Sequence, residues 1–201
     1  MVRLLFTLIL LMLTVTAAAQ SNIVVLGDSL SAGYGLEVGQ GWVALVQKKL
    51  EASHSCCKLI NESISGDTSA GGLARFEPIL TTHKPKILLL ELGANDGLRG
   101  LPPKLLKSNL TEIIIRAQKA GAKVVLLSMI IPPNYGKRYV DMFHDVYPQL
   151  SKELGIPSIP FILQDVALAK DLMQPDGLHP NAKAQPHIAD KVWQYLQPLL
   201  K

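Results

Sequence analysis

Short apolar runs alternate with longer stretches of helical periodicity along the chain. This alternation is typical of a parallel sheet whose strands are joined by crossover helices. The apolar runs predict five strands, at residues 22–27, 58–61, 86–92, 123–128 and 158–161. Their near-continuous Ile, Leu and Val content favours strands that are covered on both faces. The pattern therefore predicts an α/β fold with a central five-stranded parallel sheet and helices on both faces.

Helical periodicity predicts five helices between and after these strands. They are expected at residues 42–50, 71–80, 103–120, 139–154 and 184–199. Pro102 and Pro103 suit the start of the third helix and Gly121 suits its end, because proline fits the first turn of a helix and glycine fits the left-handed position that follows one. Residues 129–137 contain two prolines and a glycine and are expected to form a long loop.

The N-terminus has the composition of an export signal. Arg3 supplies a positive charge, residues 4–15 are apolar, and residues 17–19 are alanines that suit cleavage. The apolar stretch is shorter than the roughly 20 residues that a helix needs to span a bilayer. We therefore expect cleavage near Ala19, a periplasmic or secreted product, and a single domain over residues 20–201.

Charge and cysteine content narrow the function classes. The formal net charge is +4, but the Lys and Arg residues are scattered among acidic ones. We therefore do not expect nucleic-acid binding, and we expect at most weak, transient attraction to lipid surfaces. Cys56 and Cys57 are neighbours, and a disulfide between neighbours would be strained. With His54 they lack the usual spacing of zinc ligands, so we expect no metal site.

Two short motifs carry candidate chemistry. Gly27-Asp28-Ser29-Leu30 directly follows the first apolar run, and Asp176-Gly177-Leu178-His179 lies late in the chain. A serine beyond the carboxyl end of a buried strand lies where an open α/β sheet binds its ligands. An acid three residues before a histidine can orient the imidazole ring, which can then take the serine proton. The spacing predicts a triad of Ser29 as nucleophile, His179 as base and Asp176 as the orienting acid.

Two further turns follow predicted strands and supply candidate oxyanion donors. The backbone N–H groups of Ser29 and Gly66, with the side-chain amide of Asn95, would stabilise the charge that develops on a carbonyl oxygen. Each motif also has an ordinary structural interpretation. Gly-Asp-Ser is common in turns, Gly66 suits a tight turn, and Asn95-Asp96 suits a helix cap. Their convergence on one rim of the sheet favours a binding site.

These residues give the chain its resemblance to a known superfamily. It resembles the GDSL, or SGNH, hydrolases, whose name letters fall on Ser29, Gly66, Asn95 and His179. Three longer strings are most similar to the bacterial periplasmic thioesterase I, lysophospholipase and arylesterase group: residues 61–68, 91–100 and 133–136. The resemblance covers essentially all of residues 20–201 and implies a three-layer, flavodoxin-like sandwich.

The resemblance also implies an activity and a substrate site. It implies hydrolysis of carboxylic esters and thioesters, such as acyl-CoA, lysophospholipid and aryl esters, through an acyl-enzyme and without cofactor or metal. A mobile substrate-side loop and an acyl pocket are implied at Gly97, Leu98, Arg99, Gly100, Leu101 and Pro102, and at Ile131 and Pro132. Glu62 and Ala94 depart from the pattern, Glu62 from a small residue and Ala94 from a second glycine, so they could alter turn flexibility or specificity.

Two alternatives remain open from the sequence. One is an acetyl esterase that acts on polysaccharide, since sugar deacetylases also occur in this superfamily. The other is a non-catalytic protein that binds acyl lipid in the same crevice. Aromatic residues make up 5% of the chain, which favours acyl chains over sugars as substrate. We expect a monomer that acts on a small-molecule ester or thioester.

Overall fold

Five parallel strands form one sheet in the order β2-β1-β3-β4-β5. The computed structural model describes residues 21–55 and 57–200, so the expected export signal and Cys56 lie outside the described residues. The strands are β1 (Ser21–Gly27), β2 (Cys57–Asn61), β3 (Ile87–Glu91), β4 (Lys123–Leu127) and β5 (Ser158–Ile159). All neighbouring pairs are parallel. The predicted five-stranded parallel sheet is confirmed.

Helices cover both faces of this sheet. They are α1 (Ser29–Ala32), α2 (Trp42–Ala52), α3 (Ser69–Ala74), α4 (Phe76–His83), α5 (Ala94–Leu98), α6 (Pro103–Lys119), α7 (Lys137–His144), α8 (Val146–Leu154) and α9 (Gln185–Leu196), with 3-10 turns at Pro133–Tyr135, Lys170–Leu172 and Gln197–Leu200. Helix α2 packs on α9, while α6 packs on α3 and α8. The result is the three-layer sandwich that the resemblance implied.

The core lies between these layers and is built mainly from the central strands. In β1 the four residues from Ile23 to Leu26 are fully buried, and in β3 the three residues from Leu88 to Leu90 are as well. Because side chains on a strand alternate between its faces, full burial of consecutive residues requires cover on both sides. Among the residues that the structure describes, no helix has the length and apolarity to cross a membrane.

Two predicted helices are each divided in the structure, and prolines explain both breaks. Residues 71–80 fall on α3 and α4, and residues 139–154 fall on α7 and α8. Pro78 and Pro148 lie in the first turns of α4 and α8. A proline has no N–H to bond the carbonyl four residues earlier, so α3 ends at Ala74 and α7 ends at His144.

The remaining differences are small. The strand predicted at 158–161 contains only Ser158 and Ile159, because Pro160 cannot donate to the ladder. The loop expected at 129–137 contains the 3-10 turn at Pro133–Tyr135. Helix α5, which directly follows β3, replaces part of the expected substrate-side loop.

Candidate active site

The carboxyl ends of β1, β2 and β3 bring the predicted site residues together. Ser29 is the first residue of α1, two residues after β1 ends, while Gly66 and Asn95 follow β2 and β3. His179 reaches the same place from the irregular segment before α9, and its Nε2 lies 2.8 Å from Ser29 Oγ. All four residues line one cavity. The structure thus brings Ser29, Gly66 and Asn95 together at strand ends, whereas His179 joins them from a segment that does not directly follow a strand.

Asp176 orients the imidazole ring of His179. Its Oδ2 lies 2.7 Å from His179 Nδ1, while its Oδ1 accepts the backbone N–H groups of Leu178 and His179 at 2.9 and 3.0 Å. Desolvation raises the pKa of the Asp176 carboxyl, but these hydrogen bonds outweigh it and lower the pKa to about 2. Asp176 is therefore ionised at neutral pH. This arrangement fixes Nε2 of the ring toward Ser29 and can stabilise an imidazolium.

Asp28 and Gly33 shape the turn that presents Ser29. Asp28 caps α1, since its Oδ1 accepts the Leu30 N–H at 3.1 Å. Gly33 ends this four-residue helix with a left-handed conformation at φ 77°. The short helix keeps the N–H of Ser29 at its N-terminus, where backbone N–H groups favour an anion.

The amide of Asn95 connects the turn that presents Ser29 with the turn that carries Gly66. Its Nδ2 donates to Asp28 Oδ2 at 3.1 Å and to the Asp67 carbonyl oxygen at 2.9 Å. Both amide hydrogens thus have protein acceptors. A substrate oxygen would have to share one of these hydrogens, so the Asp28 carboxylate competes directly for the proposed Asn95 oxyanion donor.

A buried polar cluster holds the Gly66 turn against α5. Asp96 accepts the Ser69 N–H at 2.8 Å and the Ser69 hydroxyl at 2.5 Å, and Asn109 donates to the same hydroxyl oxygen at 2.9 Å. All three side chains are at most 8% exposed. Hydrogen bonds in such surroundings are costly to lose, so the cluster fixes the spacing between Gly66 and Asn95.

Comparison with known proteins decides the family. The model of the GDSL-like Lipase/Acylhydrolase family matches residues 25–185, which include every site residue named above. The chain belongs to this family. The resemblance drawn from the sequence motifs is thereby confirmed.

Individual relatives match this GDSL-like hydrolase over nearly its whole length. Esterase TesA of Pseudomonas aeruginosa is 48% identical over 193 residues, which are 96% of each protein. Thioesterase 1/protease 1/lysophospholipase L1 of Escherichia coli K12 is 45% identical over 96% of this chain and 91% of its own. The crystal structure of the psychrotrophic esterase EstA from Pseudoalteromonas sp., inhibited by monoethylphosphonate, superimposes with a TM-score of 0.86 at 46% identity, covering 90% of this chain and 98% of that one.

A cavity of about 800 Å³ extends from Ser29 of the GDSL-like hydrolase. Its polar lining side chains are those of Asp28, Ser29, Ser65, Asn95, Gln164 and His179, and most of the other lining residues are apolar. The apolar lining residues are Leu30, Tyr34, Ala94, Leu98, Met129, Ile130, Ile131, Pro132, Pro133, Phe161, Leu163, Ala167, Leu168, Met173 and Leu178. Most of these were not identified from the sequence. Met129 to Ile131 and Phe161 to Leu163 follow β4 and β5, so the strand-end argument applied to apolar side chains would have found them.

The substrate-side residues implied by the resemblance divide into two groups. Leu98, Ile131 and Pro132 line the cavity, whereas Gly97, Arg99, Gly100, Leu101 and Pro102 are not among its lining residues. Gly97 lies at a close approach in α5, where a Cβ would contact Ile131 Cγ2 and lie 2.8 Å from Phe143 Cε2. Arg99 donates to the Gly66 carbonyl oxygen at 2.7 Å. The segment is thus tied both to the cavity wall and to the Gly66 turn.

The two departures from the family pattern fit ordinary structure. Ala94 is the first residue of α5, a position that any L-residue can adopt. Glu62 Oε1 lies 2.7 Å from His83 Nε2, which ties the end of β2 to the end of α4. Neither substitution disturbs the hydrogen bonds around Ser29.

Two buried carboxyl groups, those of Asp28 and Glu91, lie next to the turn that presents Ser29. Glu91 Oε2 accepts the Asp28 N–H at 3.2 Å and the Ser31 hydroxyl at 2.6 Å. Within the described part of the chain, Glu91 Oε1 has no hydrogen-bond partner. Desolvation raises the pKa of Asp28 from its ordinary 3.8 to about 6, and desolvation followed by the charge of Asp28 raises the pKa of Glu91 well above its ordinary value. At a pH between the ordinary and the raised pKa values, the folded pair therefore retains a proton that the same groups would release in the unfolded chain.

This pair makes stability depend on pH. Because the native pKa values are raised, the native state binds more protons than the unfolded state, and the free energy of unfolding falls as pH rises from about 4 through the native pKa values. Glu91→Gln keeps the acceptor for Asp28 and Ser31 but cannot ionise. In this variant we expect the free energy of unfolding to fall less with rising pH than in wild type. Urea unfolding at several pH values from below to above pH 6 is the measurement. Exposed Glu51→Gln is the control, and equal pH slopes for Glu91→Gln and wild type would show that Glu91 does not hold the proton.

Proposed function

We propose that this GDSL-like hydrolase cleaves carboxylic esters and thioesters through an acyl-enzyme formed on Ser29. The observation that carries the proposal is the continuous hydrogen-bonded chain from Asp176 through His179 to Ser29 at one end of an apolar cavity. The family match and the relatives named as esterase and thioesterase support the reaction class. The geometry supports the role that we propose below for each residue.

The first half of the reaction acylates the serine. His179 Nε2 takes the Ser29 proton as Oγ attacks the substrate carbonyl carbon, and the carbonyl electron pair moves to its oxygen. The N–H groups of Ser29 and Gly66, with one amide hydrogen of Asn95, stabilise that oxyanion, each donor contributing about 10²- to 10³-fold in rate. When the intermediate collapses, the bond to the leaving oxygen or sulfur breaks, and His179 gives its proton to the alcohol or thiol.

The second half regenerates the enzyme. His179 takes a proton from water, and the resulting hydroxide adds to the acyl carbon of the Ser29 ester. The same donors stabilise the second oxyanion. Its collapse breaks the bond to Oγ, which recovers the proton from His179, and releases the carboxylic acid. In this proposal Asp176 stays ionised throughout, and its lowered pKa supports that role.

The cavity favours an acyl chain as the group that is bound. A polysaccharide substrate would call for polar and aromatic groups around a short pocket. Apart from the His179 imidazole, Tyr34 and Phe161 are the only aromatic side chains among the described residues that line this cavity. We propose medium or long acyl esters and thioesters as substrates, including acyl-CoA and lysophospholipid. No cofactor is needed for this chemistry.

Lipid contact and export complete the proposal. Four of the apolar residues that line the cavity are also exposed, and we call them its rim: Tyr34, Ile130, Leu168 and Leu178. Leu168 is 94% exposed, so this rim can touch a lipid aggregate as an acyl chain enters. We propose that the protein acts after export, because its first nineteen residues have the composition of a cleaved signal. We also propose that it acts as a monomer.

A substrate series tests the reaction and its acyl preference. We expect residues 20–201 to hydrolyse p-nitrophenyl esters of medium and long acyl chains, acyl-CoA and lysophospholipid, with Ser29→Ala inactive on all of them. Initial rates across esters from acetate to palmitate are the measurement. Activity confined to acetate would replace the acyl proposal with a polysaccharide acetyl esterase, and binding of fatty acid without any turnover would indicate an acyl-lipid binding protein.

The same series tests the rim. Leu168→Ser should lower the rate on micellar lysophospholipid several-fold while the rate on soluble p-nitrophenyl acetate stays near that of wild type, because the exposed side chain serves only the contact with the aggregate. Val38→Ser is the matched control, since Val38 is fully exposed but does not line the cavity. A specific role of the rim in lipid contact would be excluded by either of two results. One is an equal loss of rate on lysophospholipid and p-nitrophenyl acetate in Leu168→Ser, and the other is an equal loss of rate on lysophospholipid in Leu168→Ser and Val38→Ser.

A further inference from the structure

Arg75 contacts three acceptors, one at the carboxyl end of β1 and two in the segment that follows β2. Its Nε donates to Asp67 Oδ2 at 2.8 Å, and its Nη1 donates to the Glu62 carbonyl oxygen at 2.5 Å. Its Nη2 lies 3.5 Å from the carbonyl oxygen of Gly27, the last residue of β1. The Arg75 side chain is 22% exposed and that of Asp67 is 12% exposed, so the ion pair is largely shielded from solvent. One guanidinium thus joins the segments that follow β1 and β2.

The residue that Arg75 holds belongs to the turn that carries Gly66. The Asp67 N–H donates to the Ile64 carbonyl oxygen at 3.1 Å, which closes a four-residue turn with Ser65 and Gly66 at its centre. Gly66 has φ 82°, the conformation that a type II turn requires at its third position. The position of the Gly66 N–H is therefore set by where the two ends of this turn are fixed.

Both ends are fixed on β1. At one end, the Ile64 N–H donates to the Gly27 carbonyl oxygen at 3.1 Å. At the other end, Arg75 connects the Asp67 carboxylate to the same Gly27 oxygen. Gly27 directly precedes the turn that presents Ser29. The two contacts to its carbonyl oxygen therefore form a frame that fixes the Gly66 turn relative to Ser29. The Asp67 carbonyl oxygen in turn accepts from the Asn95 amide, so the third donor depends on the same frame.

We propose that Arg75 is a positioning residue that holds the Gly66 N–H and the Asn95 amide at the distance from Ser29 that oxyanion stabilisation requires. This inference rests on the proposed function. Arg75 touches neither substrate nor the reacting atoms and acts through Asp67 and Gly27. A displacement of about 1 Å in such a group costs about 100-fold in rate. We therefore expect its loss to lower kcat about 10- to 100-fold while KM changes little.

The chemistry of the three contacts requires arginine. The acceptors lie in different directions around one group, and a planar guanidinium presents five N–H donors in a fixed fork. A lysine at this position has one ammonium on a flexible stem and reaches fewer of these acceptors. Arg75→Lys should therefore remain impaired although it keeps the positive charge. Free guanidinium, which has the geometry of the missing group, should restore part of the rate of Arg75→Ala.

The experiment compares steps that use the oxyanion donors with a step that does not. For wild type, Arg75→Ala and Arg75→Lys, kcat and KM are measured with a p-nitrophenyl ester, together with the affinities for an alkylboronic acid and for an n-alkyl alcohol of the same chain length. A boronic acid forms a tetrahedral adduct with the serine, whereas the uncharged alcohol occupies the acyl cavity and places no oxyanion at the donors. We expect kcat and boronic acid affinity to fall together, with alcohol affinity unchanged. Guanidinium chloride, well below denaturing concentrations, should raise kcat of Arg75→Ala only.

Controls separate this inference from stability and from the proposed function. Arg116→Ala removes an arginine that pairs with Glu112 and Glu77, outside the cavity, and should keep wild-type kcat. If Arg75→Ala does not fold, Asp67→Asn weakens the same ion pair with less loss of packing and should show the same pattern. Unchanged kcat, or lower kcat with unchanged boronic acid affinity, would overturn the inference. Retained activity of Ser29→Ala would instead overturn the proposed nucleophile.

Discussion

Ser29→Ala is expected to lower kcat/KM for ester hydrolysis by about 10⁴-fold or more, because loss of a serine nucleophile removes the whole covalent route. Among the described residues, the change removes one hydrogen bond of the Ser29 side chain, the one with His179 Nε2. Ser29 is half-buried at the rim of the sheet, so the change should leave the free energy of unfolding within about 1 kcal/mol of wild type. The measurement is steady-state hydrolysis of a p-nitrophenyl ester together with urea unfolding of both proteins.

Ser65→Ala is the matched control for this prediction. Ser65 lines the same cavity, but its hydroxyl is not the one that lies against His179. The control should keep hydrolysis within a few-fold of wild type, so that a large loss in Ser29→Ala alone identifies the nucleophile. Retained turnover by purified Ser29→Ala would show that Ser29 does not form the acyl-enzyme, even though the family assignment would stand.

The sheet and the polar site residues could be predicted because both depend on local patterns. Strands covered on both faces have continuous apolar sequence, and their carboxyl ends meet at one edge. Ser29, Gly66 and Asn95 each follow such a strand, so their meeting required only the order of strands and no details of packing. The helix breaks before Pro78 and Pro148 could also have been predicted, because proline removes a specific hydrogen bond.

The supporting residues could not be predicted from local patterns. Glu91 contacts Ser31, sixty positions earlier, and Arg75 contacts Gly27, forty-eight positions earlier. Glu91 ends an apolar strand, and Arg75 lies in a stretch of helical periodicity, so neither pattern indicates a buried polar contact. These contacts depend on the register between β1 and β3 and on the break between α3 and α4, which follow from tertiary packing.

Gly93→Ala is expected to reduce the free energy of unfolding by on the order of 4 kcal/mol, through strain and overpacking together. Gly93 has φ 121°, a conformation that residues with a Cβ rarely adopt. A Cβ at this position would collide with the Tyr147 hydroxyl and lie 3.0 Å from Leu106 Cδ1. Tyr147 cannot move aside easily, since it is fully buried and donates to the Leu92 carbonyl oxygen at 3.0 Å. Urea unfolding followed by circular dichroism measures the effect.

Ala94→Gly tests whether the turn after β3 needs a glycine only at position 93 and not at position 94. Ala94 begins α5 with ordinary helical geometry, so the reverse substitution next door should cost only about 0.5 to 1 kcal/mol, through backbone entropy. If Gly93→Ala were no more destabilised than Ala94→Gly, the positive φ of Gly93 would not be required for the fold. A large difference between the two would instead show why this chain can lack a second glycine: the turn after β3 needs a residue without Cβ at Gly93, where Tyr147 lies, and accepts any good helix former at the next position.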